Sequence, residues 1–309
     1  MSHLSRSCRI FSSGSWLPLR NPESFKSDFV GQYEPEEIEF LTKDGIKLKG
    51  SYFSCDSKKH RGVVLYCHEM NGTRWGIAPF IGKIREAGFD LFTFDQRSHG
   101  ESDSFDKFHS TPWITTYDLD DVRSAVDCIC SRNESSGHGS PEISIFGLGK
   151  GATLALCCAG LDKRIQSVIM DCPAQEDRLY EKNCLTTLFK SGTHLFTRRF
   201  SLFVTLVFKS ILYVLVCPFL SVFSAWRRFM MSLWYGGTFV NTCSIIRKLR
   251  KPILIIHGDM ETAVSVEQIQ SFRHRMPLRT KIWLVKGSSV TDAPDADSQI
   301  VSFLLEPGI

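Results

Sequence analysis

Residues 147–151 read Gly-Leu-Gly-Lys-Gly, and the runs on either side of them differ in character. The preceding Glu142-Ile143-Ser144-Ile145-Phe146 is short and apolar, the pattern of a buried strand. The following Ala152-Thr153-Leu154-Ala155-Leu156-Cys157-Cys158-Ala159 is a small-residue run that opens a helix. That context marks a tight strand-to-helix turn. A strand-to-helix turn this tight lifts its central residue above the sheet. The lifted residue is Gly149, which has no side chain.

The rest of the chain supplies strands and helices to surround that turn. Ile38–Leu41 and Ile46–Phe53, joined by Lys43-Asp44-Gly45, form a hairpin with a clear turn signal. Val63–Cys67 and Phe89–Phe94 read as strands, and Ile77–Ala87 as a helix between them. Leu119, Val122, Val126 and Ile129 recur at helical spacing. Strands follow at Ser167–Met170, Ile253–Ile256 and Lys281–Val285, with a terminal helix after Asp292. Alternating strands and helices predict an α/β fold, a mostly parallel sheet with helices on both faces. Residues 1–34 lack periodicity and read as a loose extension, and 35–309 as one domain with an insertion at about 174–248.

Composition narrows the partners. The net charge is +4 and the Lys and Arg are scattered, which argues against nucleic acid as a partner. Eleven cysteines are present, yet Cys67, Cys157, Cys158 and Cys172 sit in apolar runs, and Cys128 and Cys130 near a helix end. They read as small hydrophobes in a reducing compartment, with no metal spacing. Met1–Asn21 is polar and broken by Gly14 and Pro18, unlike a signal peptide. The expected location is the cytoplasm; no metal or cofactor is expected.

Four segments, each at a strand end and in the right order, resemble the α/β-hydrolase superfamily of serine esterases and peptidases. They are Cys67-His68-Glu69-Met70-Asn71-Gly72, Phe94-Asp95-Gln96-Arg97-Ser98-His99-Gly100-Glu101-Ser102, Gly147–Gly151, and His257-Gly258-Asp259-Met260-Glu261-Thr262-Ala263-Val264. The resemblance covers about residues 35–305 and makes 147–151 the nucleophile elbow, with a helical apolar cap formed by the insertion. It implies a triad of Ser, His and an acid. Glu261 fills the acid position. Gly149 stands where the nucleophile belongs, and Val290 where the histidine belongs. No histidine follows His274, so two of three roles are empty and the triad is degenerate. The backbone N–H groups of Lys150 and of Glu69 or Met70 would be the oxyanion donors.

Plainer readings stand beside these. Glu261 also reads as a solvated loop carboxylate, and His68 and His257 as hydrogen-bonded structural residues. Asp95 and Arg97 read as an internal pair fixing a turn. Lys150 reads as an exposed lysine, or as an anion binder at a helix N-terminus. Gly147-Leu148-Gly149-Lys150-Gly151-Ala152 also fits a dinucleotide fingerprint with Asp171 as its acid, which would make an oxidoreductase, although several strands precede it. A Walker loop fails, because Gly151 follows Lys150. An active hydrolase with another nucleophile, such as Cys67, or with His194 as base, is a further alternative.

Residues 200–223 read FSLFVTLVFKSILYVLVCPFLSVF between Arg198-Arg199 and Arg227-Arg228. A single membrane crossing would split one sheet across a bilayer. A two-pass hairpin would need about 20 residues per span. The segment, taken as about 200–225, is therefore expected to be a cap over the pocket or a contact with a membrane interface. The expectation is a hydrolase-like protein that has lost serine hydrolysis and binds an apolar or acyl ligand, a membrane surface or a protein partner.

Overall fold

A computed structural model describes residues 33–171, 240–259 and 279–307, apart from single positions and short loops within those ranges, together with 266, 269 and 270. The proposed cap, the fourth motif beyond Asp259, including Glu261, and nearly all of the N-terminal extension lie outside the described residues.

Eight strands form one sheet in the order β1-β2-β4-β3-β5-β6-β7-β8. They are β1 (Glu36–Leu41), β2 (Lys47–Phe53), β3 (Gly62–Cys67), β4 (Phe89–Phe94), β5 (Ile143–Leu148), β6 (Ile165–Asp171), β7 (Ile253–Gly258) and β8 (Thr280–Val285). β1 and β2 pair antiparallel, as does β2 with β4, and every other neighbour is parallel. Every residue of β3, β4, β5 and β7 is buried. That is why these strands read as unbroken apolar runs: a parallel sheet covered on both faces leaves no polar side. The predicted α/β architecture is the observed one.

Helices α1 (Ile81–Glu86), α2 (Thr116–Ser135), α3 (Lys150–Leu161), α4 (Thr242–Ile246) and α5 (Ala296–Leu305) cover the sheet. One core cluster joins α2, α3 and α4 to one face through Leu119, Val122, Leu154 and Ile245. A second joins α1 and α5 to the other through Ile81, Ile84, Ile300 and Phe303. The predicted helix at Ile77–Ala87 is not one helix. Arg74–Phe80 winds as a 3-10 turn containing Pro79, and α1 begins only at Ile81. Proline has no N–H for an α-helical bond and its ring crowds the preceding turn.

The expected Asp95–Arg97 pair is also absent; each residue has other partners. Arg97 is wholly buried. Its backbone N and Nε donate to Asp121 on α2 at 3.0 and 2.8 Å, and Nη1 donates to Asp44 at 2.7 Å. Asp95 instead accepts from the backbone N of Arg74 at 2.7 Å and from its Nη1. The remaining Arg74 nitrogens reach Ser51, Glu37 and Glu101 at 2.9–3.2 Å. These ion pairs tie the loops after β3 and β4 to the sheet and to α2. Truncating Arg97 to methionine would strand the buried Asp121 carboxylate, at a cost of about 3–5 kcal/mol. Urea unfolding of Arg97→Met should show a loss of that order; a loss of about 1 kcal/mol or less would remove the pair from the structural core.

Candidate functional site

In an open parallel sheet, ligands enter at the carboxyl ends of strands where the order reverses. Here the chain turns from β3 toward β4 on one side and later adds β5 on the other. The reversal therefore lies between the ends of β3 and β5. These are the places from which the loop His68–Gly72 and the turn 147–151 project, so topology and motifs converge on one crevice.

Gly149 has φ 52° and ψ −115°, a left-handed conformation that strains any residue with a Cβ. Its two flanking glycines are fixed by contact. A Cβ on Gly147 would collide with the Gly151 carbonyl, and one on Gly151 with the carbonyls of Cys67 and His68. A Cβ on Gly149 would meet only Glu69 Cβ, at 3.4 Å. The turn thus has elbow geometry, and among the described residues the space over its centre has room for a side chain that the sequence does not supply.

Lys150 opens α3, which puts its backbone N–H among the first-turn amides that have no acceptor within the helix. Its side chain corrects both readings offered from sequence. Lys150 is buried, not exposed, and its Nζ donates to Asp118 Oδ1 at 2.7 Å. Asp118 in turn accepts at Oδ2 from the backbone N and Oγ1 of Thr115, both at 2.7 Å. The ammonium is already neutralised by that carboxylate. The pairing ties the N-terminus of α3 to that of α2 under the elbow.

The loop after β3 is built on histidines. His68 is fully buried; its Nδ1 donates to the Glu69 carbonyl at 2.6 Å, and its Nε2 accepts from the Gln96 backbone N at 3.0 Å. Burial, and then the charge of neighbouring His99, hold its pKa down to about 3, so His68 is a neutral structural ring. Its amide partner Gln96 also donates from Nε2 to the His68 carbonyl at 3.1 Å. His99 bridges two loops: Nδ1 lies 2.9 Å from the Arg97 carbonyl and Nε2 2.5 Å from that of Met70. Burial raises the Glu69 carboxyl above its ordinary range. His257 ends β7 fully buried.

Position 290, where the resemblance leads one to expect a histidine, lies inside the core. Val290 is fully buried within the cluster containing Leu148, Ile256 and Val285. Its backbone N donates to Asp171 Oδ2 at 3.2 Å, and the Gly149 backbone N donates to the Asp171 carbonyl at 2.9 Å. One residue at the end of β6 therefore holds the backbone at both 149 and 290. Asp171 is itself buried, so it is not the exposed carboxylate a ribose would require. Sequence reasoning linked Asp171 only to that fingerprint. The signal for its real role was the strand end beside the elbow.

Cys67 is fully buried and burial pushes its thiol well above the ordinary range, which deprives it of nucleophilic thiolate. Cys157 and Cys158 are likewise buried, as expected of small core residues. Among the described residues no group of histidine, cysteine and carboxylates could hold a metal ion, and no helix is long and apolar enough to cross a membrane. A groove of about 620 Å³ between β1 and α2, lined in part by Phe40, Leu41 and Cys128, carries none of these groups.

Comparison with known proteins agrees with this geometry. The serine aminopeptidase S33 family model matches residues 58–206, just under half of the chain. Thiohydrolase aneE of Aspergillus aculeatus is 24% identical over 147 residues, 47% of this chain and 44% of that protein. An uncharacterised protein of Escherichia coli, YfhR, is 26% identical over 144 residues, 45% of this chain and 47% of its own. The alignments thus span about half the length of these curated relatives. Among solved structures, the esterase Pf2001 of Pyrococcus furiosus superposes with a TM-score of 0.59 at 20% identity, covering 94% of both chains. A 2,6-dihydroxy-pseudo-oxynicotine hydrolase superposes at 0.60 and 15% identity, covering 93% of this chain and 72% of its own. At such identities the likeness is one of fold.

The glycine geometry makes an ordered prediction. Gly147→Ala and Gly151→Ala should each abolish the folded state or cost several kcal/mol, since backbone cannot yield to a Cβ. Gly149→Ala should cost only about 1–2 kcal/mol, the penalty of a left-handed conformation. Thermal melts of the three variants check the ranking, and an equal loss at all three would contradict the elbow.

Proposed function

This chain belongs to the α/β-hydrolase superfamily, and from that premise we propose that it no longer performs serine-type hydrolysis and binds an apolar or acyl ligand in the emptied crevice. The observation that carries the reading is Gly149. Among the described residues the elbow turn is formed and the space above its centre is open, with no side chain there that can attack a carbonyl. A buried valine at 290 supports it, because no base is supplied from that loop.

Magnitudes support the same reading. Loss of the serine or the histidine alone costs about 10⁶ in kcat, and loss of both costs little more. Oxyanion donors alone leave roughly 10³-fold over water. Those donors would be the Lys150 amide and one from Glu69 or Met70, and they suit a carbonyl that is bound without being cleaved. Relatives named as a thiohydrolase and an esterase support an acyl group as the chemistry recognised. The rival reading, hydrolysis by another nucleophile, is weakened at Cys67 by the burial of its thiol.

The purified protein should show no labelling by a fluorophosphonate probe and no turnover of short-chain aryl esters. Gly149→Ser combined with Val290→His should regain ester hydrolysis, because the crevice and its donors would survive the loss of the reacting groups. Strong turnover by the unmodified chain, abolished by substitution at Cys67 or Glu261, would overturn the proposal.

The apolar segment at about 200–225 with its basic flanks supports a peripheral contact between a cytoplasmic protein and a membrane surface. Anionic liposomes should co-sediment the intact chain and leave a variant lacking 200–225 in the supernatant. Equal partitioning of the two would remove the membrane contact and leave a lid role for the segment.

A further inference from the structure

We infer that this protein pairs with a second copy of itself through the outer edge of β8, the two strands running antiparallel and continuing one sheet across both chains. Among the described residues the sheet has two open edges, β1 and β8. The backbone N–H and C=O groups of an open edge are a template for another strand, and charged side chains are the usual guard against it. The two edges differ in that guard. β1 carries Glu36, Glu37 and Glu39, held by Arg132, Arg74 and Lys47. A second β1 centred on Ile38, Glu39 or Phe40 would bring Glu39 opposite or diagonal to a glutamate of the copy, and like charges so placed repel. β8 reads Thr280-Lys281-Ile282-Trp283-Leu284-Val285, with one charge among six residues. Ile282 and Trp283 are half-buried, and Leu284 is 44% exposed.

The hydrogen-bond phase of β8 selects the register. The Ile253 backbone N donates to the Arg279 carbonyl at 3.1 Å, and that of Asp259 to the Val285 carbonyl at 2.9 Å. Backbone groups of alternate residues face the same neighbour. Lys281 and Trp283 therefore also face β7, while Thr280, Ile282 and Leu284 turn their N–H and C=O groups outward. A two-fold axis normal to the sheet keeps equivalent faces together. With the axis at Trp283, Ile282 exchanges hydrogen bonds with Leu284 of the second copy, and Leu284 with its Ile282. Trp283 then lies against its own counterpart, and Lys281 stands opposite Val285 with the copy's indole diagonal to it, a cation over an aromatic face. The two Lys281 positions are about 13 Å apart along the strands. With the axis at Ile282 they would be diagonal neighbours, about 7–8 Å apart, and Leu284 would face Thr280. The first register covers the exposed leucine with isoleucine, pairs two aromatic rings and separates the charges.

Sedimentation velocity of the intact chain across micromolar concentrations should show a dimer. Leu284→Lys places a charge on the open edge and should raise the dissociation constant about 10-fold or more, with the circular dichroism spectrum unchanged. Disulfide trapping reads the register, because facing Cα atoms about 4.5–5.5 Å apart can be bridged. Ile282→Cys chains mixed with Leu284→Cys chains should crosslink on oxidation, and do so more readily than either variant alone. A chain that sediments as a monomer throughout, or a dimer that a folded Leu284→Lys variant leaves as tight as before, would overturn the inference. Crosslinking of each single variant to itself as readily as in the mixture would overturn it too. Where Leu284→Lys loses its fold, the trapping experiment decides by itself.

Discussion

The close approach of backbone to backbone at residues 147–151 governs the site. Gly147 leaves no room for a Cβ against Gly151, and Gly151 leaves none against Cys67 and His68. Through those contacts the first turn of α3 is pressed onto the end of β3. The interaction uses no side chain, so it persists whatever residue stands at 149. The elbow is a property of the two outer glycines, and the middle one adds no side chain to it.

Buried charge completes the frame. Arg74, Arg97 and Lys150 each lie inside the protein against carboxylates from other elements. Such pairs are poor sources of stability, since burying the ions offsets most of their attraction. What they supply is specificity: a guanidinium with several fixed donors accepts one arrangement of its neighbours. Arg97 joins the loop after β4 to α2 and to the β1–β2 turn, and Lys150 joins the elbow to α2. Among the described residues these three cations are thus matched by carboxylates of other elements.

How much of this could be read from the sequence follows from distance along the chain. Strands such as Val63–Cys67 and Phe89–Phe94 were legible because burial on both faces writes itself as an unbroken apolar run. The elbow was legible because its glycines fall within five residues. The ion pairs were not. Asp95 and Arg97 look like partners at a separation of two, whereas their real partners lie 21, 24 and 53 residues away. Lys150 was read as exposed because a lysine in a turn usually is; nothing local reveals an aspartate 32 residues earlier in the sequence. Pro79, by contrast, was present to be read, and it marks the helix break that periodicity alone overlooked.

Positions 149 and 290 lie in different loops, yet one residue joins them. Asp171 holds both, its carbonyl on the Gly149 amide and its carboxylate on the Val290 amide. Neither bond involves a reacting group. A serine or histidine at these positions would have projected from backbone that was already fixed, in the same way that the elbow is fixed by its glycines. In the function proposed above, catalysis would have rested on two side chains, whereas the shape rests on peptide groups and one buried carboxylate. Removing the first relieves the strain of a left-handed side-chain residue at 149, about 1–3 kcal/mol, and leaves the second untouched. A crevice built this way needs no reacting group to keep its form, and its backbone N–H groups are directed without one.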